Sequence, residues 1–191
     1  MIKAILLAAG ESKRFGNKNK LLTKYKKKFL INYSIVSLIK SKIDKIIIVL
    51  GHEKNKVKKI VPKNKKITFV ENKNFKKGIS SSIKTGLKKI SKKDKGFLIV
   101  QSDMPYIKYS NLNKICKSII NKNHLVHVLK FKNKIGNPIG FNISVLNKFK
   151  KIKGDVGAKY LVSRLKQSTS FIKIKSGKEF SDFDQLSDFR K

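Results

Sequence analysis

The chain has 191 residues, 40% of them hydrophobic, which is enough for one domain with a sizeable core. Its formal charge is +36, from 47 lysines and arginines against 11 acidic residues. No apolar run approaches the roughly 18 residues of a membrane span, and the short apolar N-terminus does not read as a signal peptide. One cysteine, Cys116, allows neither an intrachain disulfide nor a cysteine-held zinc. A cytoplasmic address is the expectation, and Cys116 itself reads as a small core residue. Three histidines (His52, His124, His127) are too few for a histidine-rich metal site, and His124 and His127 sit in an apolar run where a structural role is expected. The charge suggests a polyanion, yet only Arg14, Arg164 and Arg190 are arginines and the lysines spread along the whole chain. Specific readers of nucleic acid favour the arginine fork. A solvated lysine surface is therefore expected, with non-specific polyanion binding at low salt and no specific nucleic-acid or membrane partner.

Residues 2–7 form an almost wholly apolar run and predict a buried parallel strand. A small-residue, basic loop follows, with Ala8, Ala9 and Gly10 and then Ser12, Arg14, Gly16 and Lys20. Residues 29–39 carry the apolar width of a core-facing helix. Strands are expected at 46–50, 67–70 and 96–100, with helices at 53–60, 78–90 and 109–120 between and after them. Strands at 125–131 and 139–141 would flank a turn at Gly136-Asn137-Pro138. A helix at 156–165, a strand at 170–174 and a short helix at 185–189 complete the order. The lysine-rich stretches at 54–66 and 147–153 read as loops or helix surfaces. Strand–helix alternation implies an α/β fold, a single-domain Rossmann-like three-layer sandwich over 1–191 with a mostly parallel sheet.

In such a sheet, ligands bind at the carboxyl ends of the strands. A buried strand that empties into a small-residue basic loop suits a phosphate: small side chains let backbone N–H groups approach, and the cations supply charge. Asp103 directly follows the strand at 96–100, where a carboxylate suits a hard cation such as Mg²⁺ that also takes phosphate oxygens and water. Asp182 and Asp184 form a second acidic pair, either of which can supply a second carboxylate from a distant part of the chain.

The stretch LLAAGESKRFGNKNKLL resembles the signature loop of the MobA-like nucleotidyltransferases. Five later blocks, in order, narrow the resemblance to the molybdenum cofactor cytidylyltransferases. Residues 74–87 resemble their serine-rich block. Ser102-Asp103-Met104-Pro105 resembles Gly-Asp-x-Pro, Gly136-Asn137-Pro138 resembles Gly-His-Pro, Gly154-Asp155-Val156-Gly157-Ala158-Lys159 resembles Gly-Asp-x-Gly-Ala-Arg, and residues 182–188 resemble Asp-Ile-Asp-Thr-Pro-Glu-Asp. The resemblance implies transfer of CMP from CTP to the terminal phosphate of molybdopterin, with release of pyrophosphate and a molybdenum hydroxylase as recipient of the product. It implies that Mg²⁺ is held by Asp103 and Asp184, with Asp182 as the fallback. Arg14 and Lys20 would hold the β- and γ-phosphates, with Lys18 able to exchange roles with Lys20. Leu7, Ala8, Ala9, Gly10, Ser12 and Ser80 would meet the nucleotide. Asn137 and Pro138 would border the second substrate, and Asp155 with Lys159 would shape that side. Asn137 replaces the family's histidine, Lys159 its arginine, and Gln185-Leu186 its Thr-Pro. Ala9 resembles the cytidylyl rather than the guanylyl loop.

Overall fold

The computed structural model describes residues 1–16, 18–121 and 123–190. A seven-stranded sheet runs through the centre. Its strands are β1 (Ile2–Ala8), β4 (Lys45–Leu50), β5 (Ile67–Glu71), β6 (Gly96–Gln101), β7 (Val126–Phe131), β8 (Lys134–Asn142) and β9 (Thr169–Lys173). Their order is β5-β4-β1-β6-β8-β7-β9. The four strands β5, β4, β1 and β6 are mutually parallel. β8 runs antiparallel to β6 and to β7, and β9 returns parallel to β7.

Side chains alternate between the two faces of each strand. Ala4, Leu6, Ile46, Ile48, Leu98 and Val100 pack beneath one set of helices. These are α1 (Leu30–Lys40), α2 (Lys54–Ile60) and α4 (Tyr109–Ile120). Ile5, Ile47, Val49, Phe97 and Ile99 face the other layer. That layer holds α3 (Ile79–Leu87), α5 (Lys159–Arg164) and a 3-10 helix at Ile143–Lys151. The last of these carries Phe149 onto Phe97 and Phe141, with ring centroids 5.6 and 5.0 Å apart. The expected three-layer α/β sandwich with a mostly parallel sheet is the observed one. Cys116 is buried among the core residues, and burial pushes its thiol up to about 12. His127 is likewise buried, and burial pushes its imidazole down to about 4.

Three local expectations change. Gly136-Asn137-Pro138 is not a turn. The chain reverses at Lys132 and Asn133, where Lys132 takes a left-handed φ of 51°. Residues 136–138 lie inside β8. The register there jumps from Val128 opposite Ile139 to Leu129 opposite Gly136, so Asn137 and Pro138 bulge from the ladder. Proline lacks an N–H, and a bulge is where a sheet tolerates it. The helix expected at 156–165 shortens to α5, because Gly154 enters the segment with a left-handed φ of 59° and a turn occupies the next residues. The helix expected at 78–90 ends at Leu87 and gives way to i→i+3 turns. The sequence also gave no sign of a small two-stranded hairpin, β2 (Lys24–Tyr25) with β3 (Lys28–Phe29).

Candidate active site

The carboxyl ends of β1 and β6 are neighbours, so the segments leaving them share one cavity of about 460 Å³. Ala8, the last residue of β1, and Ala9 after it stay buried, Gly10 is exposed, and Ser12 takes a left-handed φ of 56° before a 3-10 turn at Lys13–Phe15. A second 3-10 turn, Lys20–Leu22, is capped by Asn19, whose side chain accepts from the Leu21 N–H at 3.0 Å. The Lys20 N–H donates to Ser12 Oγ at 3.3 Å and ties the two turns together. Asn17, in the same loop, lies outside the described residues.

After β6, the Ser102 hydroxyl donates to the Leu7 carbonyl at 2.6 Å. That bond fixes the end of β6 against β1 and presents Asp103 to the cavity. The Asp103 carbonyl accepts from the Phe183 N–H at 3.0 Å, which lays the C-terminal segment across the site. Aromatic packing holds that segment down. Phe183 meets Tyr25 at 4.8 Å and Phe189 at 5.1 Å, and Phe189 meets Phe15 at 5.1 Å. The Asp188 carboxylate closes the turn by accepting from the N–H groups of Asp184 and Gln185, both at 3.0 Å.

Lys20, Asp103 and Asp184 converge. Lys20 Nζ lies 2.5 Å from Asp103 Oδ2 and 2.6 Å from Asp184 Oδ1. Arg14 reaches the other Asp184 oxygen at 3.0 Å. Burial opposes the Lys20 charge, but Asp103 and Asp184 outweigh it and hold this lysine above its ordinary pKa. Burial pushes Asp103 up; Lys20 pulls it back only in part, and the charge of Asp182 adds to the rise. Asp103 Oδ1 is buried without a hydrogen-bond partner. A buried carboxylate oxygen left open beside a second carboxylate fits a hard divalent cation. Among the described residues no group of three or more His, Cys, Asp or Glu converges on one point. A cation here would take two protein carboxylates and complete its shell with phosphate oxygens and water.

Leu7, Ala8, Ala9, Gly10, Ser12, Arg14, Lys20, Asp103 and Asp184 all line the cavity, as do Asp155 and Asp182. Asp184, not Asp182, is the residue that shares the Lys20 ammonium with Asp103. Lys20, not the exposed Lys18, is the lysine turned inward. Four expected residues do not line the cavity: Ser80, Asn137, Pro138 and Lys159. Ser80 is buried, and its N–H donates to the Gly154 carbonyl at 3.1 Å. The serine that reaches the cavity is Ser82, two positions on. Asn137 and Pro138 sit in the β8 bulge, just past the Ile99–Ile139 pair that ends the β6 ladder. Lys159 is exposed on the first turn of α5. Phe75, Gly78, Ile79 and Gln101 are among the other lining residues and were not singled out by the sequence. Phe75, Gly78 and Ile79 lie inside the serine-rich block, so the block marked the wall without saying which side chains face it.

Comparison with known proteins gives a family and a fold. The description "MobA-like NTP transferase domain" matches residues 4–169. The chain is 32% identical over 178 residues to the bifunctional protein GlmU of Thermosipho africanus, covering 93% of this chain. It spans only 38% of that relative's length. Rv0371c of Mycobacterium tuberculosis superposes with a TM-score of 0.84 at 20% identity, over 99% of this chain and 95% of that one. That protein has also been solved as a manganese complex, with a TM-score of 0.81 at 19% identity, over 99% of this chain and 96% of that one. A nucleotidyl transferase from Methanothermobacter gives 0.84 at 18% identity, over 100% of this chain and 94% of that one. At such identities these structures speak for the fold alone. The matched segment contains the loop after β1 and Asp103, and the chain belongs to the MobA-like NTP transferase domain family.

Proposed function

We propose that this chain is a divalent-metal-dependent nucleotidyltransferase that moves CMP from CTP to the terminal phosphate of molybdopterin and releases pyrophosphate. The observation that carries the reading is the meeting of Asp103, Asp184, Lys20 and Arg14 beneath a small-residue loop at the end of β1. The cytidylyl preference rests on Ala9. The acceptor rests on the resemblance of the later sequence blocks. Mg²⁺ as the cation, a cytoplasmic setting and a molybdenum hydroxylase as recipient belong to the same proposal.

The attacking group is already a phosphate oxygen, so no general base is needed, and the chemistry is chiefly positioning and charge stabilisation. The exposed backbone at Gly10 and the left-handed turn at Ser12 let the β1 loop approach the triphosphate closely. Arg14 and Lys20 neutralise the charge that builds on the leaving pyrophosphate. Asp103 and Asp184 would hold the divalent cation, which would supply Lewis-acid polarisation of the phosphate under attack. Phe75, Ile79 and Ser82 also line the cavity and offer an apolar and hydroxyl surface for a base or an acceptor.

A second reading keeps the transfer and changes the nucleotide or the acceptor, to a sugar phosphate or another small phosphate. It is favoured by Asn137 and Lys159, which depart from the family's pattern and do not line the cavity. A non-catalytic, basic nucleic-acid-binding protein has only the +36 charge behind it. The test is pyrophosphate release with Mg²⁺ and molybdopterin, comparing CTP, GTP, ATP and UTP. Release with CTP alone supports base and acceptor together. Release with GTP overturns the reading of Ala9. Release that requires a sugar phosphate and ignores the pterin selects the second reading. Asp103→Ala abolishes turnover in a protein that stays folded; retained turnover refutes the mechanism.

A further inference from the structure

Lys20 stands where a cation would stand. Its ammonium contacts Asp103 Oδ2 and Asp184 Oδ1 together, and Arg14 takes the remaining Asp184 oxygen. Three of the four carboxylate oxygens are thus occupied by the protein's own cations. Only Asp103 Oδ1 is open. One free oxygen is a poor site for a small hard cation, which asks for several well-placed oxygens and gives up water reluctantly. A divalent ion and an ammonium cannot both sit in contact with the same two carboxylate oxygens without strong repulsion.

The backbone of Lys20 is fixed, by the Asn19 cap and by the N–H that donates to Ser12 Oγ. Its side chain is a flexible four-carbon stem. The cavity that holds Asp103 and Asp184 is also lined by Gly10, Ser12 and Arg14. A polyphosphate seated on that loop would lie within the swing of the same ammonium.

We infer that Lys20 is a built-in competitor for the metal position, which holds Asp103 and Asp184 closed to free divalent cations until a polyphosphate draws its ammonium away. This rests on the nucleotide and metal reading of the cavity proposed above. Metal and nucleotide then bind with positive coupling, and by linkage each raises the affinity for the other by the same factor. Free metal alone meets two carboxylates already paired with the protein's own cations. The nucleotide supplies both a new partner for Lys20 and the missing oxygens.

The test is Mn²⁺ binding to the full chain without nucleotide, read by electron paramagnetic resonance of the free ion and checked by calorimetry. Wild type is expected to bind weakly. Lys20→Met is expected to bind about tenfold more tightly or better, the scale on which a charge-assisted contact acts. Lys20→Arg stays weak because a cation remains. Combining Lys20→Met with Asp184→Asn abolishes the gain, which places the ion between the two carboxylates. If Lys20→Met is marginally folded, Mn²⁺ should raise its melting temperature further than that of wild type, and Lys20→Gln should show the same gain in affinity. Folded Lys20→Met and Lys20→Gln that bind Mn²⁺ no more tightly than wild type overturn the inference. A wild type that holds Mn²⁺ alone as tightly as Lys20→Met does so too, and leaves the transferase reading intact. Failure of wild type to release pyrophosphate from any nucleotide defeats that reading and leaves the Mn²⁺ result standing.

Discussion

Substituting alanine at Gly78 should cost the protein far more than the same change at Gly154, although the two glycines touch. Gly78 has φ 90° and ψ 174°, a conformation reserved for glycine, and an alanine there is strained by about 1–3 kcal/mol. Space makes it worse. An added Cβ would meet the Gly154 carbonyl carbon and oxygen at 2.4 and 2.5 Å, and Asp155 Oδ1 at 2.7 Å. The 154–155 turn would have to withdraw. That loosens the bond from the Ser80 N–H to the Gly154 carbonyl (3.1 Å) and the one from the Ile79 N–H to Asp155 Oδ1 (3.3 Å). At about 1 kcal/mol each, these bring the expected loss to about 3–5 kcal/mol. Gly154 has φ 59°, but a Cβ there meets nothing within 4 Å, so its alanine pays only the left-handed backbone penalty of about 1–2 kcal/mol. Equilibrium urea unfolding of the two variants measures the difference directly. Gly78 and Asp155 both line the cavity, so Gly78→Ala should also raise KM for the nucleotide more than Gly154→Ala does. Equal losses at the two positions, or a smaller loss at Gly78, would refute the idea that this backbone contact sets the seam between α3 and the 154–155 turn.

Stability should fall on acidification through His127. Burial holds its folded pKa at about 4, below the ordinary histidine value of about 6.5, so the unfolded chain binds the proton first. The contribution is fully present above the unfolded value, falls by about 2 kcal/mol by pH 5, and is lost by roughly 3 kcal/mol below both values. Urea unfolding from pH 7.5 to 5 should show a flatter profile for His127→Gln; parallel profiles would exclude this source. Asp184→Asn should weaken Mn²⁺ binding in the presence of CTP by about tenfold or more, and Asp182→Asn by far less. Calorimetry that ranks them the other way reassigns the second ligand. Phe189→Ala removes ring contacts to Phe15, Phe183 and Tyr25. It should cost about 2 kcal/mol in urea unfolding and expose the C-terminal segment to proteolysis, with loss of metal binding alongside. A variant as resistant and as stable as wild type would show that the aromatic packing does not hold this segment.

The central strands were readable because they are buried on both faces and therefore nearly continuous in apolar residues, as in the Ile46–Leu50 part of β4 and in β6. α4 was readable to the residue, since Leu112, Ile115, Cys116 and Ile119 keep helical spacing against the sheet. The β7–β8 hairpin was misread because its real turn, Lys132-Asn133, carries no glycine, while the glycine and proline that look like a turn make a bulge inside β8. The choice between Ser80 and Ser82 depended on the rotational phase of α3. That phase is set by the docking of Gly78 and Ser80 onto residues 154–155, 74 or more positions away and invisible in local pattern. Arg14, Lys20 and Asp103 line the cavity as expected of segments leaving the carboxyl ends of β1 and β6, two neighbouring strands of the parallel part of the sheet. Their mutual pairing was not legible, since Lys20 meets Asp103 across 83 positions and Asp184 across 164.

That last separation bears on biogenesis. The sheet can close around β1, β4 and β6 while the C-terminal segment is still being made, but Lys20 cannot meet Asp184 until residue 184 has left the ribosome. During that interval the loop after β1 exists without its acidic counterpart, and Arg14 and Lys20 are exposed cations beside a lone Asp103. On the proposed reading, a nascent chain at that stage has the cations that would meet phosphates but lacks the second carboxylate that would hold the metal. The acidic half of the site is completed only when Phe183 and Phe189 find Tyr25 and Phe15, so on that reading metal binding reports the docking of this segment rather than closure of the sheet.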